Sequence, residues 1–292
     1  MTTTTLKKRL QSTSILVAPG IADTLTGVLA QSAGFEAVFL SGSAMAFTHL
    51  GRPDIGLLTL GEVTTIAARI NERIDIPMFI DADAGFGNAY HVQRTVRALE
   101  GAGASCIQIE DQVHDKHPTD IRDRPVIAID DMQHKLRAAL DARRNDATLI
   151  SARSDAVFSE GVDAAIERAA AYAETGVDVI FVEGLVNADD RASLRHAIDP
   201  NIHLLFNTAL PNGATAPDVP TLEQSGYSVA LSPAAVVRAS AAAVEHALAE
   251  LATQSLPIAA TRQHTPSKNI VEAIQGDSYI DRYQHWSQSD GN

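Results

Sequence analysis

The stretch Pro77–Asp111, PMFIDADAGFGNAYHVQRTVRALEGAGASCIQIED, contains one complete structural period of the chain. It opens on a short apolar run, Pro77–Asp83, that ends in acidic residues. A glycine-rich turn follows, and then Asn88–Ala102, where Val92, Val96 and Leu99 recur at helical spacing while Arg94, Arg97 and Glu100 turn away. The unit closes on a second apolar run, Cys106–Asp111, again with an acidic end. Continuous rather than alternating apolarity marks strands covered on both faces, as in a parallel sheet.

The same period repeats in both directions. Equivalent runs lie at Ser14–Gly20, Ala37–Ser43, Thr148–Ser154, Val179–Gly184, His203–Ala209 and Tyr227–Pro233, which makes eight. Helical spacing returns at Gly61–Arg73, Asp130–Arg144 and Gly161–Thr175, the last with Ile166, Ala169, Ala170 and Ala173 inward and Gly176 as its stop. Eight β–α repeats in 292 residues predict an α/β chain folded as a (β/α)8 TIM barrel over residues 1–255. A doubly wound sheet uses the same parts and differs in strand order. Two stretches break the rhythm: the polar insertion His114–Ile127, and a C-terminal helical tail over 256–292 with Ile270, Ile274 and Ile280 in weak helical register. The tail needs a docking place, on its own barrel or on a neighbour.

Composition narrows the function classes. With 45% hydrophobic residues the chain can build a sizeable core. Lys+Arg is 23 and Asp+Glu 36, a net charge of −13, which disfavours nucleic acid and anionic membrane as partners. The single cysteine, Cys106, excludes an intrachain disulfide or a multi-cysteine metal site. The opening MTTTTLKKRL lacks the apolar core of a signal peptide, and no apolar stretch is long enough for a membrane span. A cytoplasmic protein is expected.

In a TIM barrel, chemistry gathers at the carboxyl ends of the strands. Polar residues there are Ser41, Gly42 and Ser43 on the second run, Asp81 and Asp83 on the third, Glu110 and Asp111 on the fourth, Arg153 on the fifth, Glu183 on the sixth and Asn207 on the seventh. If Asp81, Asp83 and Glu110 converge, their mutual repulsion calls for a cation, and hard oxygen donors suit Mg2+, with Mn2+ possible. Each of these aspartates would serve equally as a helix N-cap. Arg153 could fork onto a substrate carboxylate or neutralise Glu183. The Ser41–Ser43 turn could hold an anion or be an ordinary strand-to-helix turn. Gly85–Asn88, GFGN, lacks the full dinucleotide spacing, so no nicotinamide site is expected. Cys106 begins its strand and reads as core, Trp286 as a packing anchor. His114 and His117 on the insertion are either proton donors or surface residues.

Several segments together resemble one family. SGSAMAFTHLGRPDIGLLTLGEV (Ser41–Val63), DADAGFGNA (Asp81–Ala89), IEDQV (Ile109–Val113), SARSDA (Ser151–Ala156) and VEG (Val182–Gly184) resemble the isocitrate lyase/phosphoenolpyruvate mutase superfamily, nearest its 2-methylisocitrate lyase-like branch. The resemblance runs from about residue 6 to 250 in the same order. It implies a (β/α)8 barrel with a helix-swapped C-terminus in a homodimer or homotetramer. It implies Mg2+ at Asp81, Asp83 and Glu110, and substrate oxygens held by Ser41, Gly42, Ser43, Arg153 and Asn207. Asp54 corresponds to a nucleophile or general base in some members, and the insertion to a gating loop with Lys116 as a closing residue. The implied reaction is carbon–carbon cleavage of a 2-hydroxy- or 2-oxo-dicarboxylate through a Mg2+-bound enolate, with Glu183 orienting a carboxyl or hydroxyl group. A carbon–phosphorus enzyme (phosphonopyruvate hydrolase or phosphoenolpyruvate mutase) and a non-catalytic metal-binding barrel are the alternatives.

The departures from the family pattern are specific. The lyases carry Lys-Arg-Cys-Gly in the gating loop, with the cysteine as acid/base; this chain reads Lys116–His117–Pro118–Thr119. Proline has no proton to give, which brings His117 or His114 forward as the replacement acid. After Asn207 and Thr208 the lyase pattern Glu-Phe-Gly is replaced by Ala209–Leu210–Pro211. Glu183 agrees with the lyases, whereas the mutases have histidine there.

Overall fold

A computed structural model describes residues 5–113, 124–253, 270, 272 and 274–288. Eight parallel strands close into a barrel in sequential order: β1 (Leu16–Ile21), β2 (Val38–Leu40), β3 (Met78–Asp81), β4 (Cys106–Glu110), β5 (Leu149–Ser154), β6 (Val179–Val182), β7 (His203–Asn207) and β8 (Val229–Ser232). β8 pairs with β1, which settles the barrel against the doubly wound alternative. Each strand lies inside one of the eight apolar runs or within one residue of it. The runs overshoot mainly at their carboxyl ends, where the chain leaves the ladder for the loops.

The outer layer is helical: α2 (Thr24–Ser32), α4 (Leu60–Asn71), α5 (Ala89–Gly101), α6 (Ile129–Ala142), α7 (Val162–Ala173), α8 (Ala188–Ala197), the short α9 (Val219–Gln224) and α10 (Ala235–Thr253). α1 (Leu6–Arg9) precedes the barrel, α3 (Gly42–Met45) follows β2, and α11 (Gly276–Gln288) lies in the tail. Val92, Val96 and Leu99 are all buried on α5, as their spacing predicts. Capping starts several of these helices: Asp23 and Thr59 each form a reciprocal capping box, and the Asn88 side chain accepts from the Tyr90 and His91 amides.

Two apolar cores result. The larger lies between the sheet and the helices, and the smaller fills the barrel itself. Inward-facing residues of β4 and β5 stack in layers, because Cys106 pairs in register with Leu149, Gln108 with Ser151 and Glu110 with Arg153. Cys106 belongs to the barrel interior, fully buried, and burial pushes its thiol well above the ordinary range. That placement confirms a packing role. Leu6 and Leu10 close the amino end of the barrel as a plug.

α10 departs from the other helices. None of its residues is buried, and Val244, Leu248 and Leu251 form an exposed stripe at helical spacing. The unpacked surface thus begins before the expected tail at 256. In α11, Trp286 is exposed rather than buried in a core. The described helices contain no segment long and apolar enough to cross a membrane.

Candidate active site

The carboxyl ends of the strands open into a cavity of about 230 Å³, lined by Ser41, Ser43, Asp54, Asp81, Glu183 and Asn207 among others. A neighbouring hollow of about 270 Å³ shares Ser43, Asp54 and Arg153 and adds Glu110 and Gln112. Arg153 therefore faces both. Of the residues singled out in sequence, these walls bring together Ser41, Ser43, Asp54, Asp81, Glu110, Arg153, Glu183 and Asn207. Gly42 and Asp83 stand immediately behind. His114, Lys116 and His117 lie outside the described residues.

The β3 end is built around Asp81. Its carboxylate accepts from the Asp83 amide at 3.2 Å and, more weakly, from the Gly42 amide at 3.4 Å. The Gly42 N–H is thus directed at Asp81, and it is the Ser41 and Ser43 hydroxyls, 3.1 Å apart, that line the cavity. Ser41 also caps α3 through the Ala44 amide, so the ordinary-turn reading holds for part of this segment. Asp83 adopts a left-handed backbone (φ 46), a conformation Asp tolerates better than most residues. Its carbonyl accepts from the Glu110 amide, tying the β3 loop to β4. Gly85 (φ 82) has no room for a side chain, since a Cβ would stand 2.5 Å from Val92. Buried Lys135 from α6 donates to the Ala84 carbonyl and holds the loop from behind.

Arg153 is the electrostatic centre. It donates to Asp155 at 2.9 Å and stands 3.5 Å from Glu110 and 3.6 Å from Glu183. Burial opposes its charge, but Asp155, Glu110, Glu183 and Asp81 together keep it firmly protonated. Neutralisation of Glu183 and readiness for a carboxylate are therefore not exclusive. Glu183 in turn accepts from the Asn207 side-chain amide at 3.0 Å. Asn207 also accepts from the Ala209 amide, which shapes the loop after β7.

Behind Arg153 stands a second tier that sequence reading missed. The same Asp155 oxygen accepts from Arg153 and from Arg124, which lies near the end of the insertion and stacks 4.5 Å over Phe158. Asp155 is fully buried; against that cost the two guanidiniums hold it below the ordinary carboxylate range. Asp111, expected at the mouth beside Glu110, is instead fully buried behind it. It accepts from the Asp155 amide, the Ser154 hydroxyl and the Tyr172 hydroxyl, and burial raises its pKa. Alternation along β4 explains the split: Cys106, Gln108 and Glu110 point inward, so Asp111 points out.

Asp81, Asp83 and Glu110 are all buried and all offer oxygen. Among the described residues, no three such side chains form a ready-made metal cage. Carboxylate oxygens of this kind could hold a hard cation such as Mg2+ through one or two direct contacts, and they include no thiolate or imidazole.

The last wall is apolar, formed by Phe39, Phe181, Leu231 and Pro233. Gly20 on β1 seats it, because a Cβ there would lie 2.0 Å from the Pro233 carbonyl oxygen.

A profile of the phosphoenolpyruvate phosphomutase family matches residues 6–252. The chain belongs to that family. Other members define its neighbourhood. The chain is 39% identical over 247 residues to the 2-methylisocitrate lyase of Aeropyrum pernix, covering 84% of this chain and 78% of the relative. It is 37% identical over 234 residues to the 2,3-dimethylmalate lyase of Eubacterium barkeri, covering 80% of each. A phosphonopyruvate hydrolase crystallised with oxalate and Mg2+ superposes with a TM-score of 0.85 at 25% identity, covering 96% of this chain and 97% of that one. The phosphomutase-family barrel thus carries both carbon–carbon and carbon–phosphorus enzymes, and residues at the mouth must decide between them.

Proposed function

We propose that this protein is a Mg2+-dependent carbon–carbon lyase acting on an alkyl-substituted 2-hydroxydicarboxylate of the 2-methylisocitrate or 2,3-dimethylmalate type. The observation that carries the reading is the junction of two surfaces. The Arg153–Glu183–Asn207 group meets an apolar wall of Phe181, Leu231 and Pro233 in one cavity. A charged recognition surface beside an apolar one fits a branched dicarboxylate. The lyase relatives, at 37–39% identity, support the same class.

The residues divide the work. Arg153 donates to a substrate carboxylate, and the Ser41 and Ser43 hydroxyls donate to the oxygens beside it. Asp81 and Asp83, with Glu110 acting through water, would hold Mg2+, which supplies positive charge against the oxygen that gains negative charge as the bond breaks. Glu183, oriented by Asn207, accepts a hydrogen bond from the substrate hydroxyl and takes its proton as the carbon–carbon bond opens. The departing carbon then needs a proton. Pro118 cannot give one, so the donor is assigned to the insertion, His117 first and His114 second, with Lys116 closing the site.

The assay is direct. 2-Methylisocitrate, 2,3-dimethylmalate and phosphonopyruvate are each incubated with Mg2+ and then with excess EDTA. Cleavage of a dicarboxylate that stops with EDTA is expected. Phosphate or phosphoenolpyruvate from phosphonopyruvate as the main product would overturn the reading, and binding without turnover on any of the three would favour a non-catalytic barrel.

The surface of α10 supports a helix-swapped homodimer or homotetramer. Its exposed Val244, Leu248 and Leu251, and the exposed Leu25 and Leu29 of α2, are surfaces that a second copy can cover by exchanging C-terminal helices. A monomeric mass by light scattering would contradict this.

A further inference from the structure

We propose that Arg124 is a positioning residue that keeps Arg153 available to a substrate carboxylate by sharing the charge of Asp155; the inference rests on the carboxylate role given to Arg153 above. Arg124 and Arg153 donate to the same oxygen of Asp155, Arg153 at 2.9 Å. Asp155 is fully buried, so its charge is answered by these two guanidiniums rather than by water. Arg153 also stands 3.5 Å from Glu110 and 3.6 Å from Glu183, and it feels Asp81 as well. One cation thus faces four carboxylates. Arg124 is the second cation of the group, and without it Asp155 would draw on Arg153 alone.

The scaffold holds Arg124 in place. The carbonyl of the next residue, Pro125, accepts from the Val113 amide at 2.8 Å, and the Ile127 amide donates to the Asp111 carbonyl at 2.9 Å. Between those two bonds Gln112 and Val126 form an antiparallel bridge. Arg168 donates to the Ile127 carbonyl at 2.8 Å and is itself forked onto Glu160. The Arg124 guanidinium stacks over the Phe158 ring, 4.5 Å from its centroid, which restrains the direction from which it meets Asp155. Asp155 is restrained from its own side, because its amide donates to the Asp111 carboxylate at 2.9 Å. An arginine so engaged, lining both hollows of the mouth, acts on substrate through the field at Arg153 rather than by contact.

The sign of the effect follows from the charges. Removing Arg124 leaves Asp155 wholly to Arg153 and makes the cluster more negative by one unit, which weakens a bound anion. Removing the Asp155 charge in the same protein restores the balance, so the second change repairs the first.

The test is calorimetric titration of oxalate, an unreactive dicarboxylate, into the full-length protein under saturating Mg2+. All titrations are run well below each variant's thermal midpoint, so that only folded protein is compared. Arg124→Gln is expected to weaken oxalate by about 10-fold. Arg124→Lys keeps a charge that can reach Asp155 and should stay within about 3-fold of wild type. In the double variant Arg124→Gln with Asp155→Asn, the loss is expected to shrink to about 3-fold or less. A merely structural role would not produce that repair, since a second defect in one network would deepen the first. An Arg124→Gln affinity within about 2-fold of wild type, or a double variant as weak as the single one, would overturn the assignment while leaving the lyase reading intact. So would an Arg124→Lys protein as weak as Arg124→Gln. Wild-type protein that binds no oxalate would overturn the carboxylate role of Arg153 and the assignment with it.

Discussion

The two ends of the barrel are built from the same strands and obey opposite rules. At the amino end the interior is Leu6, Leu10, Leu16, Cys106, Leu149 and Val179, apolar and plugged. At the carboxyl end the continuation of those strands presents Asp81, Glu110, Arg153, Glu183 and Asn207. On β4 the change takes five residues, from Cys106 through Gln108 to Glu110. The floor is held by dispersion and burial, which tolerate rearrangement at a cost in stability. The mouth is held by paired charges, where removing one member leaves others buried without partners. Stability and chemistry are thus separable along each strand, and substitutions should sort the same way.

The largest effect is expected at Arg153. Arg153→Met removes the cation from among Asp155, Glu110 and Glu183, and breaking such a buried group costs about 3–5 kcal/mol of stability. Turnover should fall by about 10³-fold or more in protein that remains folded. Activity near wild type would place the carboxylate site elsewhere and dissolve the contrast.

At the floor, Leu6→Ala should cost about 2–5 kcal/mol, read from denaturant unfolding, with KM unchanged below the transition. A KM shift comparable to that of a mouth variant would show that the two ends are coupled.

The smallest effect concerns the floor's histidine. His203, half-buried, has its Nδ1 3.0 Å from the Ser228 hydroxyl, and burial lowers its pKa below the ordinary value near 6.5. Below that value the unfolded chain takes up the proton first. The neutral ring's contribution is therefore complete above about pH 6.5 and shrinks as pH falls toward the folded pKa. Comparing unfolding free energies of wild type and His203→Gln between pH 5 and 8 should show a shallower acid decline in the variant. Identical slopes would remove His203 as the cause.

Much of this contrast is legible in the sequence. Continuous apolarity located all eight strands, and the change to acidic or amide residues at their ends marked the mouth. Alternation within IED would also have separated Glu110 from Asp111, since strand geometry sends neighbours to opposite sides. Asp155 was visible in SARSDA but reads as an ordinary polar loop residue until both arginines are seen on its oxygen. Arg124 and Arg238 were not legible. One lies within a polar insertion and the other sits in an alanine-rich helix, and only the closing of the barrel brings them to the same cavity. The unpacked α10 was hidden for a related reason, because a helical apolar stripe does not say whose barrel it covers.

The most direct test of the central claim compares kcat/KM for 2-methylisocitrate with that for isocitrate under saturating Mg2+. An apolar wall that receives the methyl group predicts a preference of about 10- to 200-fold for the methylated substrate. Equal rates, or cleavage of neither, would contradict the account.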